Sequence, residues 1–104
     1  MDGPDRVSFL GRPCPRGFHV QLVILEPGDS VGYQFSDWPD ALVVVERGEL
    51  DVECRSGEHA RFGEGAVLAF TALPVRRLHS VGAVALVLSA LAREQATGWG
   101  AGRR

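Results

Sequence analysis

Few side chains in this sequence are able to do chemistry, and they are widely spread. His19, His59 and His79 allow two readings: a metal site assembled by folding, or three imidazoles on polar strand faces, with His19 beside Gln21 and His59 beside Arg61. The second is preferred, because no two histidines have the short spacing that zinc ligands use. For nucleophilic catalysis the candidates are Ser30, Ser36, Ser80, Cys14 and Cys54, but no G-x-S-x-G context occurs and no histidine is positioned by sequence to activate them. Carboxylate pairs for acid-base work would come from Asp37, Asp40 or the run Glu49, Asp51 and Glu53, which read as turn formers and a solvated face. Tyr33, Phe35, Trp38, Phe62 and Phe70 have the character of an apolar pocket lining, yet they also suffice to fill a small core, and core packing is preferred. Arg103 and Arg104 end a glycine-rich stretch and read as solvating charges.

The elements that must position these residues are short. Apolar segments of strand length end at glycine, proline or acidic turns, which predicts an all-β chain with strands over Phe18–Leu25, Ser30–Ser36, Ala41–Glu46, Glu49–Arg55, Glu58–Phe62, Ala66–Phe70, Val75–His79 and Val84–Leu91. Val7–Leu10 is a candidate ninth. Turn signals stand between them at Pro27-Gly28-Asp29, Trp38-Pro39-Asp40 and Gly63-Glu64-Gly65, and Arg47-Gly48 and Ser56-Gly57 have the form of two-residue hairpin loops. Leu50, Val52 and Cys54 alternate with Glu49, Asp51, Glu53 and Arg55, so one face of that strand meets water. Leu42–Val45 and Val84–Leu88 are apolar on both faces and need cover outside as well as inside, partly from the N-terminal arm and more fully from a second subunit. A homodimer is the expected assembly.

A chain of 104 residues and 11.2 kDa has room for one core. The organisation expected is an N-terminal arm over 1–17, a barrel over 18–91, and a flexible Gly/Arg-rich tail over 92–104, with Ala90–Gln95 as a possible single helical turn. With 45% hydrophobic and 23% charged residues the chain reads as globular, and no apolar run approaches the length of a membrane span. A net charge of −2 argues against nucleic acid as partner, although all eleven basic residues are arginine. The absence of Lys and Asn points to a GC-rich, bacterial genome. No apolar signal core lies in Met1–Gly11, and the two cysteines have no CxxC or nearby histidine pair, so reduced thiols and a cytoplasmic setting are expected.

The order of strands and glycines resembles the cupin superfamily. Its first motif resembles Gly28 through Gly48, opened by Glu26-Pro27-Gly28 and closed by Val43-Val44-Val45-Glu46-Arg47-Gly48-Glu49-Leu50. Its second resembles Gly65-Ala66-Val67-Leu68-Ala69-Phe70 running on to Ser80-Val81-Gly82. Together they span roughly Phe18 to Leu91, and the resemblance implies a jelly-roll barrel, or double-stranded β-helix. The family's metal ligands do not survive in register. The two histidine positions of the first motif carry Gln34 and Ser36, its glutamate position carries Ala41, and the ungapped histidine position of the second carries Arg76. Using His79 instead requires a three-residue shift. In this register Arg76 and Leu78 turn inward and Arg77 and His79 outward. Hydrophobic alternation over Val31, Tyr33 and Phe35 opposes the family register, unless a bulge near Gly32 reconciles them.

These residues imply a protein without a bound metal or other cofactor. The function expected is binding of a small organic ligand, with anions among the candidates, in the barrel, through Arg76, Gln34, Ser36, Tyr33 and Trp38. The alternative is a metal-independent enzyme such as an isomerase, epimerase or cyclase, for which the expected interior lacks a histidine or carboxylate base. Metal-dependent oxygenase chemistry lacks its ligands. Neither a nucleic acid nor a membrane is expected as partner.

Overall fold

The computed structural model describes residues 8–33, 38 and 41–94. Eight strands form: β1 (Phe18–Leu25), β2 (Ser30–Gly32), β3 (Leu42–Arg47), β4 (Leu50–Cys54), β5 (His59–Phe62), β6 (Val67–Ala69), β7 (Val75–Ser80) and β8 (Leu86–Arg93). A 3₁₀ turn, Phe70–Ala72, joins β6 to β7. Seven of the eight expected strands are present within one or two residues at each end, and the other, expected over Ser30–Ser36, forms over Ser30–Gly32, with residues 34–36 outside the described residues. Residues 8–10 are not a strand, and β8 continues to Arg93 where a helical turn was an option.

The strands make two antiparallel four-stranded sheets, in the order β1-β8-β3-β6 for the first and β2-β7-β4-β5 for the second. Only the β4–β5 connection joins neighbours in one sheet, and each of the other connections carries the chain from one sheet to the other. This interleaving is compatible with a jelly roll or β-sandwich. The inner faces pack on each other. Val43, Val45, Leu68, Leu86, Leu88 and Ala90 from the first sheet meet Leu50, Val52, Val75 and Leu78 from the second in one buried cluster.

Glycines act where the chain must reverse. In Glu26-Pro27-Gly28-Asp29 the amide of Asp29 donates to the carbonyl of Glu26 (2.9 Å), with Gly28 at φ +89°, the positive φ that a type II turn requires. Ser56-Gly57 does close a hairpin, but over a three-residue loop: Gly57 N donates to Cys54 O (2.9 Å) and Cys54 N to Glu58 O (2.8 Å). Arg47-Gly48 is not a hairpin. It carries the chain from β3 in one sheet to β4 in the other, and Gly48, at φ +85°, passes so near β8 that a Cβ there would lie 2.7 Å from the carbonyl oxygen of Ala85.

Candidate functional site

The interior expected to hold a ligand is largely filled. Val43, Val45, Leu50, Val52, Leu78, Leu86 and Leu88 are fully buried between the sheets. At one end Tyr33, Trp38 and Phe70 form an aromatic cluster, with ring centroids 5.5 to 6.2 Å apart. Tyr33, just beyond β2, packs against the core on the side that hydrophobic alternation gives it, and the β2–β7 ladder has no bulge. Its phenol has no hydrogen-bond partner among the described residues, and burial raises its pKa above 10.0, with nearby Arg55 acting in the opposite direction. Tyr33 and Trp38 thus stand together as core-packing aromatics. Gln34 and Ser36 lie outside the described residues.

Arg76 is not in the interior. Its side chain is 62% exposed on the outer face of the second sheet, with Nη1 3.8 Å from Oε2 of Glu53. The cause is a β-bulge. Glu53 pairs with Arg77 and Cys54 with Val75, which leaves Arg76 as an extra residue on β7. An extra residue breaks the strict alternation, so Arg76 and Arg77 both point to solvent between the inward Val75 and Leu78. The positions that resemble the family's metal ligands do not fit a metal: Ala41 is buried in the core and has no donor atom, and Arg76 is a cation on the outside. Among the described residues no three His, Cys, Asp or Glu side chains form a set that could hold a metal ion.

The same outer face brings together four groups that the sequence leaves apart. β4 contributes Asp51 and Glu53, β5 contributes His59, and β7 contributes His79. His59 Nδ1 donates to Asp51 Oδ2 at 2.5 Å, and His79 Nε2 donates to Glu53 Oε1 at 2.8 Å. The two imidazoles are 6.0 Å apart, centroid to centroid. Asp51 is buried, and His59 is half exposed. The hydrogen bond to Asp51 raises the pKa of His59 above 6.5, against a smaller opposing effect of desolvation. The hydrogen bond from His79 lowers that of Glu53 below 4.5, helped by the charge of Arg76. His19 takes no part: it lies on β1 of the other sheet, opposite Ala92, with Gln21 Nε2 3.1 Å away. That opposition turns His19 and Gln21 to the inner side of β1, not the solvent side expected of them.

Asp51, His59 and His79 line an open groove of about 380 Å³, closed at its other side by Gly28, Ser80, Val81 and Gly82. The type II turn at Gly28 is held there by two bonds, Gly28 N to Ser80 O and Ser80 N to Asp29 O, each 2.9 Å. The hydroxyl of Ser80 is buried and has no partner among the described residues. Each carboxylate takes one nitrogen of its histidine, and His59 Nε2 and His79 Nδ1 stand outside these two bonds. The signal in the sequence was the alternation of acids on β4. What it lacked was the register that sets two histidines against them.

Cys14 and Cys54 are free thiols, the first exposed and the second packed against the core. No helix among the described residues is long and apolar enough to cross a membrane. No protein-family model matches the chain, and neither does any curated protein. Among solved structures, the regulatory subunit of a cAMP-independent protein kinase A from Trypanosoma brucei is similar over 71% of this chain, with a TM-score of 0.49 and 23% identity. The chain spans 28% of that protein's length.

Proposed function

We propose that the chain is a cupin-like jelly-roll binding module for a small organic anion, and that the ligand sits in the outer groove of the second sheet. The observation that carries this reading is the pair of carboxylate-held imidazoles, His59 on Asp51 and His79 on Glu53, lining one groove. An imidazole whose first N–H is committed to a carboxylate presents its second nitrogen outward in a fixed orientation. When that nitrogen is protonated it donates to an oxyanion, and the raised pKa of His59 favours this state. Arg61, Arg76 and Arg77 on the same face add positive potential for an incoming anion. The filled interior supports the outer position, and free thiols accord with a cytoplasmic setting.

A thermal-shift screen of small carboxylates and phosphates at pH 6 tests the proposal, because a ligand that binds only the native state raises the melting temperature. At least one class of anion should stabilise the parent chain and fail to stabilise His59→Gln and His79→Gln. Equal shifts in parent and variants, or no shift with any anion, would overturn it.

The 6.0 Å separation of the two imidazoles also favours a second reading, a metal-independent proton-transfer enzyme in which one histidine removes a proton and the other returns one. Exchange of a ligand C–H for deuterium in D₂O, followed by NMR, separates the two readings. Binding without exchange supports the module, and catalysed exchange supports the enzyme.

A further inference from the structure

Two edge strands stand side by side along one seam of the structure. β6 ends the first sheet and β5 ends the second, and between them lies an apolar groove of about 230 Å³. Phe62 of β5, Val67, Leu68 and Ala69 of β6, and Ala72 and Leu73 at the 3₁₀ turn line it. Among the described residues no strand pairs with the outer edge of either β5 or β6.

The ladder fixes which backbone groups of β5 are left at that edge. Cys54 N donates to Glu58 O (2.8 Å), and bonded and non-bonded pairs alternate along antiparallel strands, so Val52–Ala60 and Leu50–Phe62 are bonded pairs. His59 and Arg61 fall at the non-bonded positions, and their N–H and C=O groups point away from β4. The side chains divide by the same alternation: Phe62 packs against the core, whereas His59 and Arg61 lie on the outer face.

Charge on that outer face alternates strand by strand. One cross-strand row runs from His79 on β7 through Asp51 on β4 to Arg61 on β5, and the next runs from Arg77 through Glu53 to His59. At the opposite edge both rows end on small residues, Ser30 and Gly32 of β2. At the β5 edge they end on bases. Arg61 is 64% exposed, and its ion pair is a loose one, with Nη1 4.0 Å from Oε1 of Glu49.

We propose that the β5 edge is a docking site for an extended segment of a partner protein in which acidic and aliphatic residues alternate. The segment adds to the second sheet as a further strand, pairing its backbone with the free N–H and C=O groups of His59 and Arg61. Its acidic side chains stand opposite these two bases and continue the charge alternation, and its aliphatic side chains enter the groove beside Phe62. A second copy of β5 is a poor occupant, because the bases of one copy would face the bases of the other. This edge uses the backbone of His59, whereas the proposed anion groove uses its ring, so the two sites are separable.

The probe is a capped peptide, Val-Glu-Val-Glu-Val-Glu-Val, added to the full chain, with amide hydrogen exchange followed by NMR. The amides of His59 and Arg61 should gain at least about tenfold protection, while those of Ala60 and Phe62, already bonded to β4, change little. Residues opposite His59 and Arg61 direct their own N–H groups at β5, so N-methylation of the Glu residues should abolish binding and N-methylation of the Val residues should not. Exchanging Glu for Lys, or Val for Ser, should each weaken binding at least about tenfold. Arg61→Glu should reverse the preference between the Glu and Lys peptides; if that variant fails to fold, the peptide series on the parent chain decides alone. No protection up to about 1 mM peptide overturns the proposal. Equal binding of the peptide N-methylated at Glu also overturns it, since carboxylates held in the anion groove would survive that change. So does protection gained at Val67 and Ala69 instead, which would assign the added strand to β6. Protection of His59 and Arg61 already present without peptide would mean that the chain itself or a second copy occupies the edge, and it too overturns the proposal.

Discussion

His59 is bonded to Asp51, although the residue directly opposite it in the β4–β5 ladder is Glu53. The second pair is crossed in the same way, because Asp51 stands opposite His79 in the β4–β7 ladder while His79 bonds Glu53. Opposite residues in antiparallel strands are about 5 Å apart and diagonal ones about 7–8 Å, so crossed pairs need long side chains and a twist that brings one diagonal closer. The crossing has a consequence for chemistry. It draws one imidazole from each flanking strand toward the central β4 and leaves both on one groove, which the direct pairings would not require.

Asp51 is therefore the group that sets the protonation of His59. In Asp51→Asn the imidazole keeps a hydrogen-bond partner but loses the anion, so its pKa should fall from above 6.5 toward the ordinary value. Titration of the His59 ring signals by NMR measures this. An unchanged midpoint would remove Asp51 from the site.

Stability should depend on pH through His59 and Glu53. His59 binds its proton more tightly in the native state than in the unfolded chain, so its contribution is complete below pH 6.5 and is lost as pH rises through its higher native value. Glu53 behaves in the opposite sense: its contribution is complete above pH 4.5 and is lost as pH falls through its lower native value. Both act together between these limits. Melting curves across pH should show His59→Gln removing the loss on the basic side and Glu53→Gln removing the loss on the acidic side. The same slopes in parent and variants would contradict the assignment.

Arg76→Ala should leave the fold nearly as stable as the parent, within about 1 kcal/mol, because a wet surface ion pair contributes little. An inward Arg76 would require a buried partner, and its loss would cost about 3–5 kcal/mol. Urea unfolding distinguishes the two.

Gly48→Ala should destabilise the chain by about 2–4 kcal/mol, the sum of left-handed backbone strain and overpacking. The new Cβ would meet the Ala85 carbonyl oxygen at 2.7 Å and the Leu86 Cα at 2.9 Å, both backbone atoms of the segment leading into β8. Those atoms have little freedom to move aside. A midpoint unchanged in urea would mean that the β3-to-β4 crossing lies elsewhere.

Much of this fold was legible in the sequence, because strands of period two bounded by glycine turns signal themselves locally. Phe18–Leu25 is recovered residue for residue, and Leu50, Val52 and Cys54 face the core as their alternation requires. What was not legible depends on register between distant strands. The bulge at Arg76 adds one residue to β7, and no local signal in Val75-Arg76-Arg77-Leu78 marks which arginine is the extra one. Arg47-Gly48 has hairpin residues but crosses between sheets, because turn chemistry specifies a reversal and not the sheet that receives the next strand. The site itself is of this kind. Asp51, Glu53, His59 and His79 each read as a solvated position, and only the β4–β5 and β4–β7 ladders make them neighbours.

The most direct measurement for the outer groove is a two-dimensional NMR titration of the full chain with the carboxylates or phosphates that stabilise it, following the imidazole signals and the backbone amides together. The groove predicts shifts at His59 and His79 and at the amides of Gly28, Val81 and Gly82, weakening as pH rises through the pKa of His59. Shifts confined to Tyr33, Trp38 and Phe70, with the two histidines unmoved, would place the ligand in the interior and contradict the account.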